Sequence, residues 1–509
     1  MCLERELNLQ DSLHLDLYLK FNLFNSIVDM VNLLRLLISI MLVFLVSVVF
    51  SQQITSSKWI KSYTVGELKA LINQSPDNDI KFGVNLYKIL YTTKNLQGNE
   101  TTVSGLIVIP QTQDGKNKFN TVVYQHGTSN DREDVPSRLK GDWIIGAAFG
   151  GAGYVTLMSD YLGLGDNPGY HPFIHAASET WVAADLFKAF IKSSENLYNV
   201  KILSDYFVAG YSQGGHASMA LHRWLQSNPI EGYNVLAAAH SSGIYAVSQS
   251  IIGGLTSNNP VTNVSFLPHT LLGYKEPYKL FNNINEVFKS PYDVLIQNRY
   301  EEKVSLIGLN TNLLQALILN QKILARDMLA SGLYSNLITN PNHPINLALK
   351  DNDVFAWKPL IPTRLYYCSS DEIVPSINST IAESTMKTLG ATDVSAVNLS
   401  NQKNHVACGY LAIASTVSFF NAELAKKGLS VPKLNTLEVV DITTNRVKSG
   451  GLIVNDGGDE ITSSGLVYGL DSLLNLQYAK SFNDTLKLKR FNLEIPDLQS
   501  NTTYFIRAF

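Results

Sequence analysis

Residues 206–228 read YFVAGYSQGGHASMALHRWLQSN, and no other stretch limits the fold as tightly. Tyr206, Phe207, Val208 and Ala209 form an apolar run rich in strand formers. Ala217, Ala220, Leu221, Trp224 and Leu225 then recur at helical spacing. Between the two runs, Gly210, Ser212 and Gly214 spell Gly-x-Ser-x-Gly. A chain with 33 glycines produces on the order of 0.2 such matches by chance, so the pattern alone decides little. Its setting decides more. A strand that turns into a helix this sharply forces the serine into a strained backbone, and side chains two positions to either side would collide there. Ser212 is the candidate nucleophile, at the amino end of a helix whose dipole favours negative charge.

A serine hydroxyl needs a base, an acid to orient the base, and donors for an oxyanion. Ten histidines compete for the first role. His405 follows the last expected strand, after the polar loop Ser400 to Asn404 and ahead of a long helix from Val406 to Lys427. His216 and His222 ride the helix behind Ser212 and point away from the turn; His240, after another strand, is an outside rival. Asp371, just past the apolar strand Leu365 to Cys368, is the candidate acid, with Glu372 and then Asp393 as alternatives. The Ser-Ser-Asp-Glu run there also suits a simple turn cap. The chain order Ser212, Asp371, His405 is that of α/β hydrolases. The expected oxyanion donors are the N–H of Gln213 and, from the loop ending VVYQHGT, the N–H of Thr128 or Gly127.

The rest of the chain supplies a framework. Residues 88–110 read as a hairpin turning at Asn95 to Glu100, and the intervening segment 52–87 as a spacer. Buried strands end at His126 and Ser159, and an amphipathic helix carries Ala183, Leu186, Phe187 and Phe190 on one face. A strand over YNVLAAAHSSG follows the serine motif, then roughly 110 helical, Asn-rich residues. Short buried strands alternating with helices predict an α/β fold, a mostly parallel sheet covered on both faces. Near Ser430 the pattern changes to alternating strands with Gly-Gly and Asp-Gly turns, which predicts a small β-sandwich over 430–509.

Three segments in order, YQHGT, SDYLGLGDNPGYHPF and GYSQGG, resemble the secretory lipase family of α/β hydrolases. The likeness spans roughly residues 80–427. It implies a triad of Ser212, Asp371 and His405, hydrolysis of carboxylic esters, often triacylglycerols, and a helical cap inserted at about 250–360. The catalytic domain is expected over 52–429. The family's disulfides have no counterparts here. The last segment, LQSNTTYFIRAF, is similar to the tyrosine corner of fibronectin type III modules, carried by Leu498, Thr502, Tyr504, Ile506 and Arg507, with Ser500 in place of the usual proline. The chain stops just past that corner, so the last strand of the sandwich is expected to be missing, either because the sequence is truncated or because the module is incomplete.

Leu36 to Phe50 is an uncharged run of fifteen, short for a membrane span and suited to a signal-peptide core cleaved near Ser51 or Gln52, with an amino-terminal anchor as the alternative. Residues 1–35 carry three basic and five acidic side chains, whereas signal peptides begin positive, so Met30 is the expected start. Residues 1–51 are thus expected to be an extension and leader, and the mature protein to be secreted or exported to the cell envelope. Cys368 and Cys408 are too few for a disulfide framework or a metal site; a bridge between them is compatible with the sequence, but nothing argues for it. The net charge of −3 points to no nucleic acid. No cofactor is expected, and the partner is a small-molecule or lipid ester. Two other functions compete: a serine peptidase of the prolyl-oligopeptidase type, disfavoured by the short spacer, and a non-enzymatic binding protein.

Overall fold

The computed structural model describes residues 52–72, 80–111, 117–260, 262–427, 433–455, 461, 463–471, 474, 480–483 and 490–509. The leader Leu36 to Phe50 and part of the junction after Lys427 lie outside them. β1 (Ile54–Tyr63) and helix α1 (Val65–Leu71) precede β2 (Val84–Lys94), β3 (Glu100–Pro110) and β4 (Lys118–Gln125). Then come α2 (Trp143–Gly151), β5 (Val155–Ser159), α3 (Ala176–Tyr198), β6 (Lys201–Tyr211), α4 (Gln213–Ser227) and β7 (Asn234–Ser241). These strands, with β8 (Thr363–Cys368) and β9 (Val394–Ser400), form one nine-stranded sheet in the order β1-β2-β3-β5-β4-β6-β7-β8-β9. β5, β4, β6, β7, β8 and β9 are mutually parallel, while β1, β2 and β3 pair antiparallel.

The segment read as a spacer is therefore partly sheet. β1 is an edge strand, exposed along most of its length, and lacks the apolar alternation that betrays a strand. The hairpin is as expected, with Lys94 opposite Glu100.

Both faces of the sheet are covered, because successive residues of each central strand point to opposite sides. Tyr206 and Val208 of β6 join the core under α3 and α4, with Val182, Leu186, Phe190 and Leu221. Phe207 and Ala209 face the other way, onto Phe149 of α2 and Ile413 and Phe420 of α12 (His405–Lys426). Among the described residues, six α-helices lie between β7 and β8: α5 (Val247–Thr256), α6 (Phe266–Tyr278), α7 (Tyr292–Tyr300), α8 (Leu306–Leu319), α9 (Leu333–Thr339) and α10 (Pro344–Asp351). They share a core of their own around Leu271, Phe288, Leu309 and Leu349. α11 (Ile377–Thr388) then connects β8 to β9.

After α12 the described residues form two three-stranded sheets: β10 (Lys433–Thr436), β11 (Val447–Asn455) and β14 (Arg490–Ile495), facing β12 (Gly465–Gly469), β13 (Lys480–Asn483) and β15 (Phe505–Ala508). Val447, Phe491 and Ile495 of one sheet and Leu466, Tyr468 and Ala508 of the other close a single small core. The Tyr504 hydroxyl accepts a hydrogen bond from Gln499 N–H at 3.1 Å. No helix among the described residues is long and apolar enough to cross a membrane.

Candidate active site

Ser212 sits between β6 and α4 with φ 59° and ψ −122°, a left-handed-side backbone that a non-glycine residue adopts only under constraint. The constraint is visible at its neighbours. A Cβ on Gly210 would lie 2.0 Å from Gly214 O, and one on Gly214 would lie 1.9 Å from Gln125 O. Both positions need glycine because β6, α4 and the end of β4 touch there, not because of their dihedrals. Ser212 N–H is held by Ser241 O at 3.0 Å, which ties the turn to β7.

His405 opens α12, a helix capped by Asn404, whose side chain accepts from Ala407 N–H. Its Nε2 lies 2.9 Å from Ser212 Oγ and its Nδ1 2.7 Å from Asp371 Oδ2. With Nδ1–H donated to the carboxylate, Nε2 is left as the acceptor for the serine hydroxyl. Three further contacts fix the imidazole: Glu372 accepts the backbone N–H of His405 at 2.9 Å, Tyr211 Oη donates to its carbonyl at 2.5 Å, and the Tyr211 ring lies beside it. Burial pushes the Asp371 carboxyl up, yet the bond from His405, its charge, and the N–H groups of Val374 and Ile373 outweigh it. The group is held below the usual carboxylate range.

The rivals are occupied elsewhere. Glu372 serves the helix start and Asp393 pairs with Arg364 at 2.6 Å. His240 bonds Ser218 and His222, and His216 meets Glu179 and Asn352 O. Cys368 and Cys408 form a disulfide, so the end of β8 and the first turn of α12 are covalently joined.

Of the expected oxyanion donors, Gly127 needs correction. Its N–H is engaged by Asp142 Oδ2 at 2.7 Å, a carboxylate that the sequence did not single out. Burial holds the Asp142 carboxyl above its usual range, against the pull of that bond. Thr128 and Gln213 remain. Neither backbone N–H has a protein acceptor among the hydrogen bonds of the described residues, and both residues border the space at Ser212. Two cavities meet there. One, of about 690 Å³, runs past Ile144, Ile145, Ile413 and Val417; the other, of about 750 Å³, runs past Phe173, Val264, Phe266 and Ile377. Ser212 and Thr128 line both. Among the described residues no cluster of three or more His, Cys, Asp or Glu is arranged to hold a metal ion.

No protein-family model and no curated protein sequence matches this chain. Solved structures do. The rice cell wall degrading esterase LipA from Xanthomonas oryzae is 25% identical with a TM-score of 0.63, over 74% of this chain and 98% of that one. A putative hydrolase from Legionella pneumophila is 24% identical with a TM-score of 0.65, over 73% and 98%. Candida antarctica lipase A in its closed state is 15% identical with a TM-score of 0.54, over 74% and 82%.

The fold is that of the α/β hydrolases. In such a hydrolase fold ligands meet the carboxyl ends of the parallel strands. Ser212 follows β6, Asp371 follows β8 and His405 follows β9. Three residues 159 and 34 positions apart in sequence thus reach one edge of one sheet. Sequence reasoning passed over Asp142, and also Glu179, buried beneath the serine turn. Glu179 had a signal: it lies on the same helical stripe as Ala183, Leu186 and Phe190, where a lone acid is out of place unless partnered.

Proposed function

We propose that this α/β hydrolase cleaves carboxylic esters through an acyl-enzyme on Ser212. The reading rests on one observation, the hydrogen-bonded series Asp371–His405–Ser212 at a strained turn. His405 Nε2 takes the hydroxyl proton as Ser212 Oγ attacks the ester carbonyl, and Asp371 stabilises the resulting imidazolium. The carbonyl oxygen, now negative, lies between Gln213 N–H and Thr128 N–H, at the amino end of α4. The tetrahedral intermediate collapses, the C–O bond to the alcohol breaks, and His405 returns its proton to the leaving oxygen. A water then repeats the sequence on the acyl-enzyme and releases the acid.

The esterase and lipase among the similar structures support this reaction class. The paired cavities support an ester with two sizeable, largely apolar halves, since each volume is in the range that holds a small organic ligand. Secretion or export to the cell envelope rests on the Leu36 to Phe50 run alone, and the assignment of the terminal sandwich as fibronectin type III-like on its tyrosine corner. The decisive test is Ser212→Ala assayed on p-nitrophenyl esters, with fluorophosphonate labelling of both forms. Turnover and labelling are expected in the wild type and absent in the variant; turnover near wild type in Ser212→Ala removes the assignment.

A further inference from the structure

Beneath the serine turn lies a buried polar cluster that the reaction above does not use. Glu179, in the first turn of α3, is 1% exposed. Its Oε1 accepts from Gln213 Nε2 at 2.7 Å and its Oε2 faces His216 Nδ1 at 3.1 Å. Gln213 and His216 are the first and fourth residues of α4, so one carboxylate from a neighbouring helix holds both ends of the first turn of α4. The other ring nitrogen of His216 meets Asn352 O at 2.9 Å.

The Gln213 amide is gripped from a second side. Its Nε2 lies 2.8 Å from His171 Nε2, while His171 Nδ1 meets Leu162 O at 2.8 Å. That carbonyl requires the proton on Nδ1, so Nε2 receives from Gln213. Burial holds the His171 ring down to about 4, which keeps it in this neutral form near neutral pH. The His171 ring stacks on Tyr161, and Tyr161 stacks on His126 and donates to His126 O at 3.0 Å. His126 is two residues before Thr128. One continuous set of contacts therefore runs from the residue carrying one oxyanion donor to the loop carrying the other.

We propose that Glu179 is a positioning residue for the oxyanion site: through Gln213 and His216 it sets the direction of Gln213 N–H relative to Thr128 N–H. The proposal rests on the serine-hydrolase reading of Ser212. It places Glu179 out of reach of substrate, so its loss acts on the transition state and not on substrate uptake.

The test uses the full chain with Glu179→Gln, which keeps the shape but removes the charge and leaves a single oxygen acceptor where Gln213 and His216 each face one. A p-nitrophenyl ester gives kcat and KM, and an aryl boronic acid reports binding of a tetrahedral adduct on Ser212. The expected result is a fall in kcat of about 10- to 100-fold, a matching weakening of boronate inhibition, and KM within about two-fold of wild type. If Glu179→Gln does not accumulate as folded protein, Gln213→Met, which removes the tether at similar volume, is read in the same way. Folded variants with wild-type kcat, or with low kcat and undiminished boronate inhibition, overturn the proposal. Turnover by Ser212→Ala on the same ester would instead overturn the serine reading, a separate result.

Discussion

At the scale of single residues, Asp371 shows how a carboxylate acquires a role from its surroundings. It accepts two backbone N–H groups on Oδ1 and the imidazole on Oδ2, which aims the ring at Ser212. Asp371→Asn keeps the shape but offers the imidazole a donor or a weaker acceptor, so the wrong tautomer prevails. A drop in kcat of about 10³- to 10⁴-fold is expected from ester-hydrolysis kinetics, with KM little changed. The same group links stability to pH. Its pKa falls on folding, so its contribution is complete above the unfolded value of about 3.9 and disappears as pH drops through the lower folded value. Melting curves of wild type and Asp371→Asn should differ most above about pH 4 and draw together in stronger acid. A difference that does not shrink on acidification contradicts the linkage.

At the scale of elements, the disulfide joins the strand that presents Asp371 to the helix that presents His405. It closes a loop of 40 residues, for which loop-closure entropy gives a stabilisation of about 2–4 kcal/mol. The double variant Cys368→Ala/Cys408→Ala should lose that much in urea unfolding; an unchanged midpoint would mean the packing around both sulfurs suffices alone. The sequence showed the two cysteines without showing the bridge. Their proximity follows from β8 and β9 lying side by side in parallel, which sends the chain back to the same sheet edge after β9. It also showed α3, β6 and α4 readily, because their apolar residues keep one period and bury one face. β1 was hidden for the opposite reason: an edge strand with most of its side chains in solvent has little pattern to read.

At the scale of the whole molecule, the inserted helices and the loop that carries Thr128 are built into one another. Asn130, two residues after Thr128, accepts Leu306 N–H on its carbonyl at 2.8 Å and Ile307 N–H on its side chain at 2.9 Å. These are the first two N–H groups of α8, which have no acceptor within their own helix. Arg132 adds an ion pair to Glu302 and reaches the carbonyls of Asn167 and Gly169. Removing the side-chain acceptor in Asn130→Ala should cost about 0.5–2 kcal/mol of cap attachment. The expected readouts are faster limited proteolysis between α5 and α10 together with lower kcat/KM. Wild-type values for both would show that cap and loop move independently.

The sequence by itself determined the elements with strong periodicity, the alternation that makes a covered parallel sheet, and the serine turn. All of these are local: each is written in residues that touch across a few positions. It also narrowed the candidate acid to three carboxylates and the candidate for the second oxyanion donor to two N–H groups. Only the tertiary structure chose among them, placing Asp371 and not Glu372 or Asp393 against the imidazole and taking Gly127 N–H away to Asp142. Those choices depend on ångström differences in how distant segments meet at one sheet edge. Hydrogen bonds discriminate at that distance; hydrophobic periodicity, which specifies only which face is buried, does not.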